Sequence, residues 1–536
     1  MKMQRLRILS CLLIVSFVGC KNQEPPVPEI TPDQKNQTVQ IVKEARIAFN
    51  EDATTIDPRK ARSLNSINIA RLLFEGLSQI DSDGNASLAS AETLQISDDQ
   101  KTYTFTLKDA TWSNGEQVTA RDFEYSWKSS LNPKFGAPNA YQLFVIKNAK
   151  AAYDGKVSPD VIGVHALDDK TLEVHLENPT PYFMQLLAFH PFFPVPLSQK
   201  DAKESDSLSG NGPFVIKEWK HAFEIVLQKN STYHNAKAIT LEQVRFPILD
   251  ETTAFNMFEG GELDWIGSPV SLIPPDAIAT CKKEHTLKTA PAAGTQIIRI
   301  NIEKAPFTNE KMRRAFCYAV DRQGICQHIM QGGHCPATSF VPPCMKLAKN
   351  NYFQDATAEK AQALFAEARQ EELEPKAPLE PIVFSYASND RNQKIALSLQ
   401  QNWKTVFGID VILDPCESKI FYEKISKKTY QLALGSWIAD FNDPVNFLSV
   451  FQYKNNGTNN TQWESSAYIQ CLQEASGEAN SYKRAQKLAA AEAILMAELP
   501  IIPIYHYVYN YVKNDRLQGV ELSPLGYIEL KCAKVN

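Results

Sequence analysis

The sequence has no block or stripe of basic residues, and its formal net charge is −5 over 536 residues. That excludes the electrostatic footprint of a nucleic-acid binder. After residue 18 nothing approaches the run of about 18 apolar residues that a membrane-spanning helix requires. Catalytic motifs are missing as well: there is no G-x-S-x-G elbow, no H-E-x-x-H and no phosphate-binding glycine loop. None of the nine histidines stands beside a plausible nucleophile in a recognisable frame, so no enzyme and no cofactor is expected. Cysteine is absent from residues 21–280. Cys11 and Cys20 lie at the N-terminus, and the other eight of the ten lie in the second half. Of these, Cys335 and Cys344 share a Gly/Pro-rich loop and are the first candidates for a bridge. Cys326, His328, His334 and Cys335 lack the paired C-x2-C and H-x3-H steps of a zinc site, so no metal is expected.

What is present begins with an address. Lys2, Arg5 and Arg7 precede an apolar run over residues 8–18, the layout of a signal peptide. The run ends in Phe17-Val18-Gly19-Cys20. A small residue before a cysteine there resembles a bacterial lipoprotein signal, although leucine is usual where Phe17 stands. Residues 1–19 are expected to be removed and Cys20 to carry lipid on its thiol and new amine; an ordinary secretory signal is the alternative. Residues 20–40 are proline-rich and free of aromatics, a tether with little to bury. The remaining chain of about 500 residues exceeds one core, so two or three domains are expected.

Chemistry concentrates in residues 435–447, GSWIADFNDPVNF. Residues 432–434 read as a short strand, Gly435 and Ser436 as a turn, and the following residues as a loop carrying Trp437, Asp440 and Phe441. Asp443-Pro444 reads as a helix start. An acid beside aromatics can hold a cation such as a free amine, contributing about 1.5–3 kcal/mol. The same residues fit a plain surface loop with Trp437 in the core. Elsewhere, residues 45–49 read as a strand and 69–77 as a helix ending at Gly76. Residues 103–107 and 171–176 read as alternating strands, and Thr119 with Asp122 forms a capping box.

A set of motifs then carries a resemblance. Ile56-Asp57-Pro58, Leu73-Phe74-Glu75-Gly76-Leu77 and the stretch TYTFTLKDATWSNGEQVTARDFEYSW come first. Gly210-Asn211-Gly212-Pro213-Phe214, Lys304-Ala305-Pro306-Phe307, Ala319-Val320-Asp321-Arg322 and Ile502-Pro503-Ile504-Tyr505 follow in order. Over residues 45–536 the chain resembles the peptide-binding class of extracytoplasmic solute-binding proteins that serve ABC importers. The resemblance implies an α/β, two-lobed periplasmic-binding-protein fold with an extra domain inserted in the first lobe. Lobe one would take residues 41–75, 208–297 and 508–536, the insertion 76–207, and lobe two 298–507. It implies a peptide or peptide-like ligand, a membrane permease as partner, a monomer, and a lipid-anchored place on the periplasmic side of the cell envelope. A ligand-sensing receptor on the same fold is the alternative.

By the same likeness, Asp440 would meet the ligand's α-amine, Trp437 and Tyr507 would line the cleft, and Arg62, Ser63 and Leu64 would form the extended segment that pairs with ligand backbone. The departures lie at the ligand's other end. Leu434, Ile425 and Asn392 stand where the well-known oligopeptide binders carry cations for the peptide carboxylate. Either Arg62, Arg391 or Lys394 replaces them, or the ligand is non-standard, such as a cell-wall peptide or glutathione.

Overall fold

The computed structural model describes residues 43–80, 85–200, 208–347, 351–371, 379–455 and 457–536. The signal peptide, Cys20 and the tether lie outside the described residues.

Two large hydrophobic cores and two smaller clusters form among the described residues. The first gathers Phe49, Phe74, Trp112, Phe123, Trp127 and Phe246. It lies under two four-stranded sheets. In one, Glu44–Arg46 runs parallel to Gln243–Pro247, and Glu224–Lys229 and Phe214–Lys220 continue antiparallel. The other, Ala91–Ile96, Thr102–Leu107, Thr171–His175 and Val164–Ala166, is antiparallel. Tyr103, Phe105 and Leu107 point inward and the intervening threonines outward, as their period of two dictates. Helix Ala120–Ser130 starts where the capping box requires, with the Thr119 amide donating to Asp122 Oδ2 at 2.8 Å. The second core gathers Phe316, Phe384, Trp403, Trp463, Tyr468 and Tyr505.

A seven-stranded sheet joins the two. Its two longest members are 13-residue strands, Lys288–Ile300 and Ile501–Lys513, antiparallel to each other. At about 3.3 Å per residue each is long enough to run from one core to the other. Near one end they pair Lys288–Pro291 with Val508–Tyr511, beside Trp265–Gly267. Near the other, Thr295–Arg299 pair with Ile501–His506, beside Leu432–Ile438, Ile382–Ala387 and Val411–Cys416. The register breaks between Pro291 and Thr295. At the break Ala293 N–H donates to Pro524 O (2.7 Å) and Ala439 N–H to Ala293 O (2.8 Å). Thr295 Oγ1 lies 2.9 Å from Nδ1 of buried His506, whose pKa desolvation pushes down to about 4.

Glu75 ties the first core together. Its buried carboxylate meets Lys531 Nζ at 2.7 Å, Tyr233 Oη at 2.5 Å and His234 Nε2 at 2.8 Å. Burial pushes this carboxyl up, but Lys531 and His234 outweigh it and hold it well below the usual carboxylate range.

Three local expectations need correction. The helix near residue 70 spans Leu64–Leu73 rather than 69–77, because Ser63 caps it by accepting from Ser66 N–H. Gly76 serves close approach instead: a Cβ there would meet Leu187 O at 2.7 Å. Gly435 and Ser436 do not turn the chain. The strand runs on to Ile438, with Gly435 opposite Ile297 and Trp437 opposite Thr295, so the loop shrinks to residues 439–443. Cys335 and Cys344 are not bridged. All eight described cysteines are free; Cys335 is held opposite His506 at a strand edge, while Cys344 sits in the turn Pro343–Met345 with Sγ 3.8 Å from Ala292 O.

Candidate functional site

The strand Leu432–Ile438 and the loop after it stand at the junction of the two cores. Asp440 reaches the other side. Its Oδ2 accepts from Tyr141 Oη at 2.9 Å and Gln142 Nε2 at 3.0 Å, both in the turn Ala140–Val145. Burial raises the Asp440 carboxyl above its ordinary value, and the Tyr141, Asn446 and Gln142 hydrogen bonds only partly offset this. Among the described residues Asp440 makes no ion pair. It is therefore a half-buried acid held by neutral donors, able to receive a cation.

Its neighbours are fixed by hydrogen bonds and stacking. Trp437 Nε1 donates to Asn446 Oδ1 at 2.9 Å, and the Asp440 amide faces the same oxygen at 3.4 Å. Phe441 stacks on Tyr182, with centroids 5.2 Å apart and 6° between planes. Asp443 does accept from Val445 N–H at 2.9 Å, as a helix start requires, and its carboxylate is also gripped by Arg484 through two bonds of 2.8 Å. The helix it starts, Val445–Leu448, is a single turn.

Two cavities meet at Tyr507, which lines both. One, about 350 Å³, brings together Trp437, Leu434, Ile425 and Asn392, far apart in sequence. Leu434 and Ile425 are buried apolar side chains there, and Asn392 Nδ2 is tied to Ala387 O at 2.8 Å. The other, about 510 Å³, is lined by Arg391 and Lys394 together with His334. Both cations lie in the first turns of helix Asp390–Phe407. Arg62 is exposed on the surface, and Ser63 and Leu64 belong to the cap and first residue of their helix; none of the three lines either cavity. Of that segment only Arg62 and Ser63 remain outside the helix.

Sequence reading missed four contributors: Tyr141 and Gln142 on Asp440, Gln296, which accepts the Tyr507 hydroxyl and donates to Gly435 O at 2.7 Å, and Arg299. Arg299 had a signal, a lone charge within the apolar strand Ile297–Ile300; Tyr141 and Gln142 had none, since their role depends on packing against another part of the chain.

Two cores linked by paired long strands, with an acid and aromatic walls facing the junction, form the two-lobed architecture of a solute-binding protein. The chain belongs to the bacterial extracellular solute-binding proteins, family 5, whose middle-region model matches residues 85–459. The oligopeptide-binding protein OppA of Bacillus subtilis (strain 168) is 38% identical over 499 residues, covering 91% of this chain and 92% of that one. The periplasmic murein tripeptide binding protein MppA in its unliganded open form matches with a TM-score of 0.82 at 29% identity, over 92% of this chain and 98% of that one. OppA of Haemophilus influenzae in complex with RPPGFSPFR matches with a TM-score of 0.72 at 27% identity, over 92% and 99%. The two-lobed α/β fold is thereby shared along nearly the whole of these chains.

Proposed function

We propose that this protein captures peptides in the cleft between its lobes and delivers them to an ABC permease. The observation that carries this reading is Asp440, a half-buried carboxylate at the junction with only neutral hydrogen-bond donors around it. A peptide's free α-amine supplies the missing positive charge. Trp437 and Tyr507 wall the adjoining cavity, where side chains of varied shape can be received. The relatives support the class of ligand: one is an oligopeptide-binding protein and another is solved with a nonapeptide bound.

Closure would be governed by the paired strands Lys288–Ile300 and Ile501–Lys513, bending where their register breaks. We take the lobe borders to lie near residues 297 and 508, close to the irregular register of these strands, and residues 76–207 to be an insertion. The body is held to the membrane by lipid on Cys20, through the tether of residues 20–40, and acts as a monomer. No helix among the described residues is long and apolar enough to cross a membrane.

Native mass spectrometry of the full-length protein, purified without denaturation, tests the reading. A ladder of releasable short peptides is the expected result. Protein that carries no peptide, and that binds none of a tri- to pentapeptide set by calorimetry, would overturn it.

A further inference from the structure

Arg299 is a cation in an unusual position. It lies in the strand Lys288–Ile300 opposite Ala433, and its guanidinium folds over Gly435. A Cβ on Gly435 would sit 1.6 Å from Arg299 Nη1, so glycine there is what lets the guanidinium lie flat on the neighbouring strand. Its only hydrogen bond among the described residues is from Nη2 to Ser436 O at 3.1 Å. The buried Nε has no partner, and no carboxylate lies within ion-pair distance among the described residues. Burial pushes the Arg299 pKa down, with Tyr430 and Tyr422 the groups that oppose it.

A guanidinium partly withdrawn from water without a counter-ion is costly, and proteins normally pair it. Here the unpaired donors border the 350 Å³ cavity that Leu434, Ile425, Asn392 and Trp437 share. The three positions expected from the family likeness to hold cations for a ligand carboxylate are uncharged and surround a cation that comes from a different strand. Arg391 and Lys394 line the other cavity. Arg62 lines neither.

We propose that Arg299 is the carboxylate receptor of this cleft, taking an acidic group of the ligand between its guanidinium and the wall formed by Tyr507 and Trp437. This rests on the peptide-capture reading and adds the charge that the ligand must carry away from its amine. A planar guanidinium presents paired donors that match a carboxylate's two oxygens, and Leu434 and Ile425 keep the pair dry, which strengthens it. The carboxylate belongs either to the peptide's C-terminus or to an acidic side chain; both present the same group.

Calorimetric titration of the full-length protein separates the sources. One arm compares alanine peptides of three to five residues as free acids and as C-terminal amides. The other compares amidated peptides carrying one Glu with their Gln counterparts. In one arm the wild type should prefer the carboxylate about 10- to 150-fold, the range of a charge-assisted hydrogen bond. Arg299→Met should erase that preference and still bind the neutral peptides. Gly435→Ala, which keeps the charge but displaces the guanidinium, should erase it too, and serves alone should Arg299→Met fail to fold. A preference retained in the folded variants, or no preference in either arm of the wild type, overturns the assignment of Arg299. Failure of the wild type to bind any of the peptides overturns peptide capture itself.

Discussion

Asp440→Asn is the sharpest perturbation of the proposed amine site. Asparagine preserves shape and an acceptor oxygen for Tyr141 Oη and Gln142 Nε2, which now lie 2.9 and 3.0 Å from Oδ2. What it removes is the charge. One charge-assisted hydrogen bond to an ammonium is worth about 1.5–3 kcal/mol, which is about 10- to 150-fold in Kd. Calorimetry with a free-amine tripeptide and its N-acetylated form isolates that bond. The wild type should prefer the free amine by that factor, and Asp440→Asn should bind both forms equally weakly. Burial holds the Asp440 carboxyl above its ordinary value. A raised value in the folded state means its stability contribution is present at low pH and lost as pH rises through that value. The neutral variant escapes this penalty, so at neutral pH its melting temperature should equal or exceed that of the wild type. By the same linkage, wild-type affinity for amines should fall as pH drops through the raised value, because a proton competes with the ammonium, and the asparagine variant should show no such dependence. A variant that binds the free-amine peptide as tightly as the wild type would refute the proposed amine site.

Other perturbations test what positions the site. Glu75→Gln strands the Lys531 ammonium and removes a buried ion pair, at a cost of about 3 kcal/mol read as a lower urea midpoint. Because this carboxyl is held low in the fold, its stabilisation is present above the ordinary 4.5 and is lost as pH falls below it; the variant should lack that loss, and an unchanged midpoint would speak against the network. Glu492 is buried, its carboxyl accepting from Phe340 N–H (3.0 Å) and Val341 N–H (2.7 Å), and burial pushes it up to about 7. The stability it contributes is complete below 4.5 and lost as pH rises through about 7, so melting temperatures from pH 5 to 8 should decline for the wild type and stay flatter for Glu492→Gln. Gly210→Ala would set a Cβ 2.1 Å from Leu73 O and should cost about 1–3 kcal/mol in denaturant unfolding; a neutral effect would mean the two segments are not in contact.

Much of this molecule could be read from local chemistry. The alternation of Tyr103, Phe105 and Leu107 specifies a strand because side chains alternate faces every residue. The Thr119–Asp122 box specifies a helix start because both partners lie within one turn. The ordered motifs sufficed for the family. In the site, Trp437, Tyr507, Leu434, Ile425 and Asn392 were legible as a set by likeness, and the fold does bring them to one cavity. Where local reading failed, a distant partner had the deciding interaction. Gly435 looked like a turn, yet it is a strand residue whose missing Cβ makes room for Arg299, more than a hundred positions earlier. Gly76 looked like a helix end, yet it is small because Leu187 O and Phe193 press on it. Tyr141 and Gln142 carry no motif, and only the approach of the loop after Ile438 gives them Asp440 to hold. Short-range hydrogen bonding and side-chain period are properties of neighbouring residues, so sequence determined the strands, the caps and the family. Close approach and charge pairing are properties of surfaces that meet, so the tertiary structure alone decided which cation faces the cavity and which groups surround the acid.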